Sequence, residues 1–320
     1  MCVTHGLFLM DPALEWEYIQ NVQLTDNTKQ QEAFVNSQVK YDPNNEVTQK
    51  PVHSSYCGDT CEFTFPSEKF SLSNGNRIDT ENSDSVTYSQ CRDHLRMHTS
   101  LETCADLTIS PNSFLRKFSL FHCLLRPLEL SSNLRDERAF VYSLSCTKCC
   151  PFDIPLHGKM LVTIFKRLTG SGACLLKGVH WELIGFQGSD PTTDFRSTGL
   201  LSLVCLVYFV TDVNIHGSLS ALFRQSLDPV QHFPFCSVGI NITGILLQLL
   251  RRGVLNQLCI HRNSVLDTFM RLFTGMFCCF CKTWKDEHCT ILNAQTVFDR
   301  LEKLCRKNPR SFLKMHSNRP

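Results

Sequence analysis

Long apolar runs are absent from this sequence of 320 residues. The longest unbroken run, residues 203–210, has eight residues, whereas a helix that spans a bilayer needs about 20. The N-terminus MCVTHGLFLMDPALEWE has no basic lead, no long apolar core and no small-residue cleavage site, so it does not match a secretory signal. We therefore expect a soluble protein without a transmembrane segment.

Cysteine is too sparse for a small disulfide scaffold, although 18 of the 320 residues are cysteine. Short secreted disulfide domains contain about 8–10% or more. Most of these cysteines stand singly inside apolar patterns such as LSLVCLVYF and QLCIH, where a reduced thiol packs as a small hydrophobe. A reducing compartment fits this usage best, so we expect a cytoplasmic protein, with association to the cytoskeleton or a membrane left open.

Signatures of metal and nucleotide sites are weak. The pairs Cys146-x-x-Cys149 and Cys278-x-x-Cys281 would offer four thiolates to zinc, but they lie about 130 residues apart and the second pair sits in an apolar helical pattern. The segment HGKM at 157–160 lacks the first Gly and the Ser or Thr of a Walker loop. We expect no metal and no nucleotide site of its own; a zinc-binding regulatory protein is a third hypothesis that rests on the cysteine pairs alone.

The formal net charge of +2 conceals an asymmetry along the chain. Residues 1–112 contain 16 Asp and Glu against 7 Lys and Arg, and residues 113–320 contain 14 against 25, which gives −9 and +11. A basic folded part favours an acidic protein surface, a nucleotide or a membrane surface as partner, without choosing among them. We expect no nucleic-acid partner and leave peripheral membrane contact open.

Periodicity divides the chain at about residue 113. Residues 18–112 are rich in Asn, Ser, Thr, Gln and Asp, with no helical or strand period, and such a segment buries too little surface to offset its ordering entropy. From Ser113 onward, apolar residues recur three and four apart in segments from SFLRKFSLFHCLLR to ILNAQTVFDRLEKLCRK. The sequence predicts a mostly disordered acidic region at 1–112 and an all-α domain of about seven or eight helices at 113–315.

One stretch, WELIGFQGSDPTTDFRSTGLLSLVCLVYF, differs from the rest in kind. Gly185 and Gly188 bracket two residues, a pattern that lets the backbone turn sharply and approach a partner closely. The pair Asp190-Pro191 predicts an N-cap and first helical turn, which would hold Arg196 in place ahead of an apolar helix at 200–210. Two interpretations stay open from the residues alone: an arginine mounted for a partner, or an arginine that pairs with a nearby acid to stabilise the turn.

The same stretch resembles the signature of the ELMO domain family, approximately W-x3-G-F-Q-G-x2-P-x-T-D-[FL]-R-G-x-G. The flanking segments CLLRPLELSSNLRDERAF, KRLTG, GVHW, HFPFCSVGINIT and KNPRSFLK agree with it and are most similar to one branch of that family. The resemblance covers about residues 113–315, and residues 1–112 resemble no family.

The resemblance implies an all-helical GTPase-activating protein for small GTPases of the Arf and Arf-like group. Arg196 would be the arginine finger that enters the partner's nucleotide site and balances charge on the transferring phosphoryl group. GTP and Mg²⁺ would belong to the partner, so no cofactor is expected in this chain. Asp194 is the candidate to orient Arg196 and Gln187 the candidate to touch the partner. The motif positions expected to shape or support the loop are Trp181, Gly185, Phe186, Gln187, Gly188, Pro191, Thr193 and Asp194.

Ser197 departs from the signature, which has glycine directly after the arginine. A positive φ at this position would strain a serine by about 1 kcal/mol or more, although serine is also a good N-cap for the following helix. The alternative function is a non-catalytic ELMO-type adaptor in actin-linked signalling, which binds exchange factors. We rank it second because the sequence keeps the motif arginine and is too short for the helical-repeat half of the larger scaffolds.

Overall fold

A computed structural model of the chain describes residues 85–98, 128–171 and 174–317. Within these ranges the chain forms helices and no β-strand, so the all-α prediction is confirmed. Two 3₁₀ helices, Pro191–Phe195 and Ile291–Asn293, interrupt the α-helices. The α-helices are α1 (Tyr88–His98), α2 (Ser132–Cys146), α3 (Pro155–Thr169), α4 (His180–Leu183), α5 (Gly199–Thr211), α6 (Val213–Ser226), α7 (Phe235–Arg251), α8 (Asn256–Arg262), α9 (Leu266–Asp286), α10 (Ala294–Lys307) and α11 (Arg310–Ser317).

Most of the long helices lie where the apolar periodicity predicts them. The patterns LRDERAFVYSLSC and HGKMLVTIFKRLTG correspond to α2 and α3, and Gly170 ends α3 with a left-handed φ of 72°. The described ranges contain more α-helices than the seven or eight expected, because α4, α8 and α11 are too short to show a period. The helix expected at 113–126 and most of the disorder expected in residues 1–112 lie outside the described residues.

Helix α1 is the exception, since it lies in the segment whose composition predicts mostly disorder. Cys91 and Leu95, one helical turn apart, are buried, and the Tyr88 ring meets Tyr208 of α5 edge to face at a centroid distance of 4.8 Å. The Val86 amide also donates to Thr163 Oγ1 on α3 at 3.0 Å. A few apolar residues at the right spacing therefore anchor this helix, although the average composition around them is polar.

Helix α5 forms the centre of the core. Every residue of α5 except Tyr208 and Thr211 is buried, and α5 contacts α1, α2, α3, α6, α7 and α9. Near its C-terminal end, Phe209 packs against Phe277 of α9 at 4.5 Å, and Phe277 packs against Phe235 of α7 at 4.7 Å. Aromatic rings at these distances bury large areas and attract one another through their quadrupoles. The turn that leads into α5 is therefore fixed to the most buried helix of the described domain.

The length and polarity of the described helices bear on whether any of them could cross a membrane. None of them is by itself long and apolar enough to cross a bilayer, and only two bent pairs, α5 with α6 and α7 with α8, meet the length and composition criteria jointly, with bends of 98° and 91°.

Gly275 on α9 and Gly217 on α6 form a matched pair that tests how α11 packs. A Cβ at Gly275 would overlap the backbone carbonyl of Phe312 on α11, whereas a Cβ at Gly217 would meet no atom within 4 Å. We expect Gly275→Ala to lower the free energy of unfolding by about 2 kcal/mol. Gly217→Ala should raise it by up to about 1 kcal/mol, because alanine restricts the unfolded chain. Urea unfolding followed by circular dichroism measures both, and a Gly275→Ala variant as stable as the wild type would contradict this packing.

Candidate functional site

The turn before Arg196 is capped as the sequence predicts. Asp190 is the N-cap of the 3₁₀ helix Pro191–Phe195, and its Oδ1 accepts hydrogen bonds from the Thr192 amide at 3.1 Å and the Thr192 hydroxyl at 2.7 Å. The Thr193 hydroxyl donates to the Asp190 carbonyl at 2.9 Å. Arg196 follows with helical backbone angles, φ −58° and ψ −37°. The position of the Arg196 backbone is therefore set by a short, fully capped turn.

Lys177 ties this turn to the segment before α4. Its ammonium lies 2.8 Å from Asp190 Oδ2, and the neighbouring Gly178 amide donates to the Ser189 carbonyl at 2.8 Å. Burial favours a raised pKa for Asp190, but hydrogen bonds from Lys177 and Thr192 together outweigh it and lower the pKa below its ordinary value. The Asp190 carboxylate is therefore already paired within the chain. Lys177 lies outside the signature, and sequence analysis gave no signal for its role.

The base of the loop is held by the N-terminus of α7. The carbonyls of Ile184 and Gly185 accept hydrogen bonds from the amides of Cys236 and Ser237 at 3.0 and 3.1 Å, and Ser237 Oγ donates to the Gly185 carbonyl at 2.7 Å. These amides belong to the first turn of α7, where backbone donors have no partner inside the helix. The loop thus accepts hydrogen bonds from two amides that have no partner within α7. These bonds also fix the position of the loop.

The two glycines of the loop have different roles. Gly185 has a φ of 88°, and a Cβ there would lie 2.5 Å from the Pro234 carbonyl carbon. Its close approach is therefore to α7 of the same chain, which corrects the expectation that it approaches a partner. Gly188 has no positive φ, and a Cβ there would meet no atom within 4 Å. Gly188 therefore has open space in front of it, as a partner-facing position requires.

Asp194 organises the loop. Its side chain is 4% exposed, and the carboxylate accepts hydrogen bonds from the Gln187 amide at 2.8 Å and the Thr193 hydroxyl at 3.2 Å. The Asp194 carboxylate thus joins the first half of the loop to the 3₁₀ helix. The expected role of Asp194 in orienting Arg196 stays a prediction.

Three buried aromatic residues form the floor beneath the loop. The Phe186 ring lies edge to face between Trp181 and Phe195, with both centroid distances at 5.7 Å. Trp181 also meets Phe165 of α3 at 5.6 Å. None of the four side chains is more than 4% exposed. Trp181 and Phe186 therefore lie beneath the loop and support it. Phe195 is the third aromatic residue of this floor, and it was not among the site residues expected from the sequence.

Arg196 itself is exposed. Within the part of the chain that the structure describes, it makes no salt bridge. The Asp190 carboxylate pairs with Lys177, and the Asp194 carboxylate accepts a hydrogen bond from the Gln187 amide. The structure therefore favours a guanidinium that faces outward over one that stabilises its own turn. An exposed guanidinium on a capped turn can bind an oxyanion of a partner with two parallel hydrogen bonds.

Ser197 fits this backbone without left-handed strain. Among the described non-glycine residues, a positive φ occurs at Asn263 and His288 only. The N-cap of α5 is Thr198, which makes no side-chain capping bond, so the alternative role of Ser197 as N-cap is wrong. Serine at position 197 therefore requires no left-handed backbone.

Gly199, the last glycine of the signature, is the position that demands glycine. Its φ is 52°, and a Cβ there would lie 2.5 Å from the Ser145 carbonyl oxygen and 2.7 Å from that of Thr147. The Leu200 amide donates to the Thr147 carbonyl at 2.8 Å, so the end of α2 caps the start of α5. The sequence analysis did not include Gly199 among the site residues, although its place in the signature was the signal that could have identified it.

The loop and the helices around it match the sequence model of a known protein family. The sequence model of the ELMO/CED-12 family matches residues 144–298, a range that includes the whole loop, Arg196 and the central helix α5. The chain contains an ELMO/CED-12 domain. No solved structure matches the chain.

Relatives extend the match beyond the family's sequence model. ELMO domain-containing protein 3 of Mus musculus is 39% identical over 199 residues, which are 61% of this chain and 51% of that protein. The Homo sapiens protein of the same name is 38% identical over the same shares, and ELMO domain-containing protein 2 of Mus musculus is 35% identical over 100 residues, or 31% of this chain and 33% of that protein. The chain spans about half the length of the first two relatives. ELMO domain-containing protein 3 is the branch that the flanking segments resemble.

The cysteine pairs of the ELMO domain are the basis of the zinc hypothesis. Among the described residues, no group of three or more His, Cys, Asp or Glu side chains is placed to hold a metal ion. Cys149, Cys278 and Cys281 are buried, and burial raises the pKa of the Cys149 thiol to about 12. A protonated, buried thiol packs as a small hydrophobe and is a poor metal ligand.

Gly185 and Gly188 of the ELMO domain provide a direct test of how the loop is held. We expect Gly185→Ala to lower the free energy of unfolding by about 3 kcal/mol, because it adds both backbone overlap and left-handed strain. Gly188→Ala should change it by less than about 0.5 kcal/mol, since its Cβ points into open space. Urea unfolding of both variants measures the difference. Equal destabilisation by the two substitutions would show that the loop does not pack on α7 as described.

Proposed function

We propose that this ELMO domain is a GTPase-activating protein for a small GTPase of the Arf or Arf-like group, with Arg196 as an arginine finger supplied in trans. The observation that carries the proposal is the state of Arg196: exposed, without a salt bridge in the described chain, and placed at the end of a capped turn. Membership of the ELMO/CED-12 family supports the same function.

The chemistry follows from where charge develops in phosphoryl transfer. Negative charge accumulates on the oxygens around the transferring phosphoryl group, and a guanidinium that donates to two of them stabilises the transition state. The partner supplies GTP, Mg²⁺ and the attacking water, and this chain supplies one cation. Fingers of this kind accelerate hydrolysis by about 10³–10⁵.

The loop contributes by restricting the finger before the partner arrives. The hydrogen bonds from Thr192 to Asp190 and from Gln187 to Asp194 fix the backbone that leads to Arg196. The hydrogen bond from the Leu200 amide to the Thr147 carbonyl fixes the backbone that follows it. A cation already held in place loses less conformational freedom on binding, so more of the interaction lowers the barrier. Gln187 is partly exposed beside this turn, and its side-chain amide is the second polar group that we propose to contact the partner.

Single-turnover GTP hydrolysis by a panel of Arf and Arf-like GTPases tests the proposal with the full chain. The wild type should accelerate hydrolysis by at least one GTPase of the panel, and Arg196→Lys should lose about 100-fold or more of that acceleration, because an ammonium cannot bind two oxygens in the plane of a fork. Arg135→Lys is the matched control. Arg135 is an exposed arginine near the N-terminus of α2, whereas Gly199 packs against the C-terminal end of that helix.

Two outcomes would contradict the proposal. Equal losses of GTPase acceleration in Arg196→Lys and Arg135→Lys would show that the effect is not specific to Arg196. Binding of a GTPase by the wild type without acceleration would favour the non-catalytic adaptor. Circular dichroism and thermal unfolding of all three proteins establish that they are equally folded.

A further inference from the structure

The end of the described chain carries an uncompensated positive charge. Residues 303–314 contain five Lys and Arg and no Asp or Glu. Arg306 pairs with Glu302 at 2.6 Å, but the other four cations are exposed and make no salt bridge with a described residue. We call these four residues the basic face: Lys303 and Lys307 on α10, and Arg310 and Lys314 on α11.

A short, hydrogen-bonded link joins the two helices that carry the basic face. Each pair is spaced i, i+4, so its members lie on the same side of their helix. Only Asn308 and Pro309 separate α10 from α11, and this link is closed by hydrogen bonds from the Asn308 amide to the Leu304 carbonyl at 2.8 Å and from the Ser311 amide to the Asn308 carbonyl at 3.2 Å. The opposite sides of the two helices are buried through Leu301 and Phe312. The basic face is therefore a fixed surface rather than a flexible tail.

Helix stability accounts for only part of this charge. Lys303 and Lys307 lie toward the C-terminus of α10, where cations complement the helix dipole. Arg310 is the first residue of α11, and a cation at a helix N-terminus is opposed by the dipole. The nearest acidic side chain on the same side of α10 is Asp299, which accepts a hydrogen bond from Gln295 at 2.8 Å. Neither the helix dipole nor an ion pair with a described residue therefore accounts for the charge at Arg310.

Leu304 distinguishes the kind of partner. It lies between Lys303 and Lys307 and is 44% exposed, while Leu301 one turn earlier is 2% exposed. Protein interfaces are depleted in lysine, and single-stranded nucleic acids require stacking aromatic residues, which residues 303–314 lack apart from the buried Phe312. Lysines beside an exposed apolar side chain suit an anionic bilayer, where their long stems lie along the lipid and their ammonium groups reach the headgroups.

We infer that the basic face, with the adjacent exposed Leu304, binds the surface of a membrane rich in anionic phospholipid. The attraction of four cations to a negative surface is electrostatic and weakens with salt, and Leu304 adds a small apolar contribution at the headgroup boundary. This inference does not depend on the proposed GTPase activation, because no residue of the loop around Arg196 belongs to the basic face.

Vesicle co-sedimentation of the full chain tests the inference, with phosphatidylcholine vesicles that contain either no phosphatidylserine or about one part in three. The patch variant changes Lys303, Lys307, Arg310 and Lys314 to Gln. The matched control changes four other exposed cations without a described salt bridge to Gln: Arg135, Lys148, Lys159 and Arg224. Both variants lose the same net charge.

We expect the wild type and the control variant to bind the phosphatidylserine vesicles at low salt and to be released as salt is raised. The patch variant should bind about tenfold or more weakly, since each cation near such a surface contributes severalfold to the affinity. Leu304→Ser should weaken binding by a smaller factor and leave its salt dependence unchanged. Thermal unfolding identifies any variant that is misfolded, and Leu304→Ser, a single surface change, then stands as the second test.

Three outcomes would overturn the inference. The first is equal loss of vesicle binding in the patch and control variants, which would indicate attraction by net charge alone. The second is an absence of binding to phosphatidylserine vesicles by the wild type. The third is vesicle binding retained by the patch variant together with lost binding to a poly-glutamate peptide, which would point to an acidic protein segment as the partner.

Discussion

The candidate site depends on one interaction above the others, the hydrogen bonds from the first turn of α7 to the carbonyls of Ile184 and Gly185. Helix α7 is long and largely buried, so its first amides are fixed in space and need acceptors. The loop meets that need only because Gly185 lets the backbone come close. From this contact the chain continues to Asp194, which holds the Gln187 amide, and on to Arg196. An exposed arginine is thus connected to the core through backbone contacts.

Sequence reasoning identified the parts of this arrangement that depend on neighbouring residues. The apolar helix at 200–210 and the cap at Asp190 are each set within a few residues, and each lies where the sequence places it. Position 185 needed glycine for a reason that lies about fifty residues away, at Pro234 and Phe235. A local sequence pattern contains no information about a contact so far along the chain. Gly185 was therefore interpreted as a position where the backbone approaches a partner, whereas its backbone approaches the start of α7.

Roles assigned to charged groups were less predictable than helices. Asp194 stands two residues before Arg196, and the sequence suggested that it orients the arginine. The hydrogen bond that its carboxylate accepts from the Gln187 amide had no signal in the sequence. Lys177 lies outside the signature and still takes the second oxygen of Asp190. The folded geometry determines which hydrogen bonds form, because a buried carboxylate accepts from the nearest fixed donors. Helix α1 illustrates the same limit for composition, because a few residues such as Cys91 and Leu95 anchor a helix in a polar segment.

Ser197 and Gly199 carry a consequence for how such sequences diverge. Both correspond to glycines of the family signature, but only Gly199 has a left-handed φ and carbonyl oxygens where a Cβ would lie. Position 197 is consequently free to drift to other small residues during evolution without disturbing the turn, whereas drift at position 199 would separate α2 from α5. A database search that demands glycine at both positions would pass over chains with the same loop, and one that demands it at 199 alone would retain them.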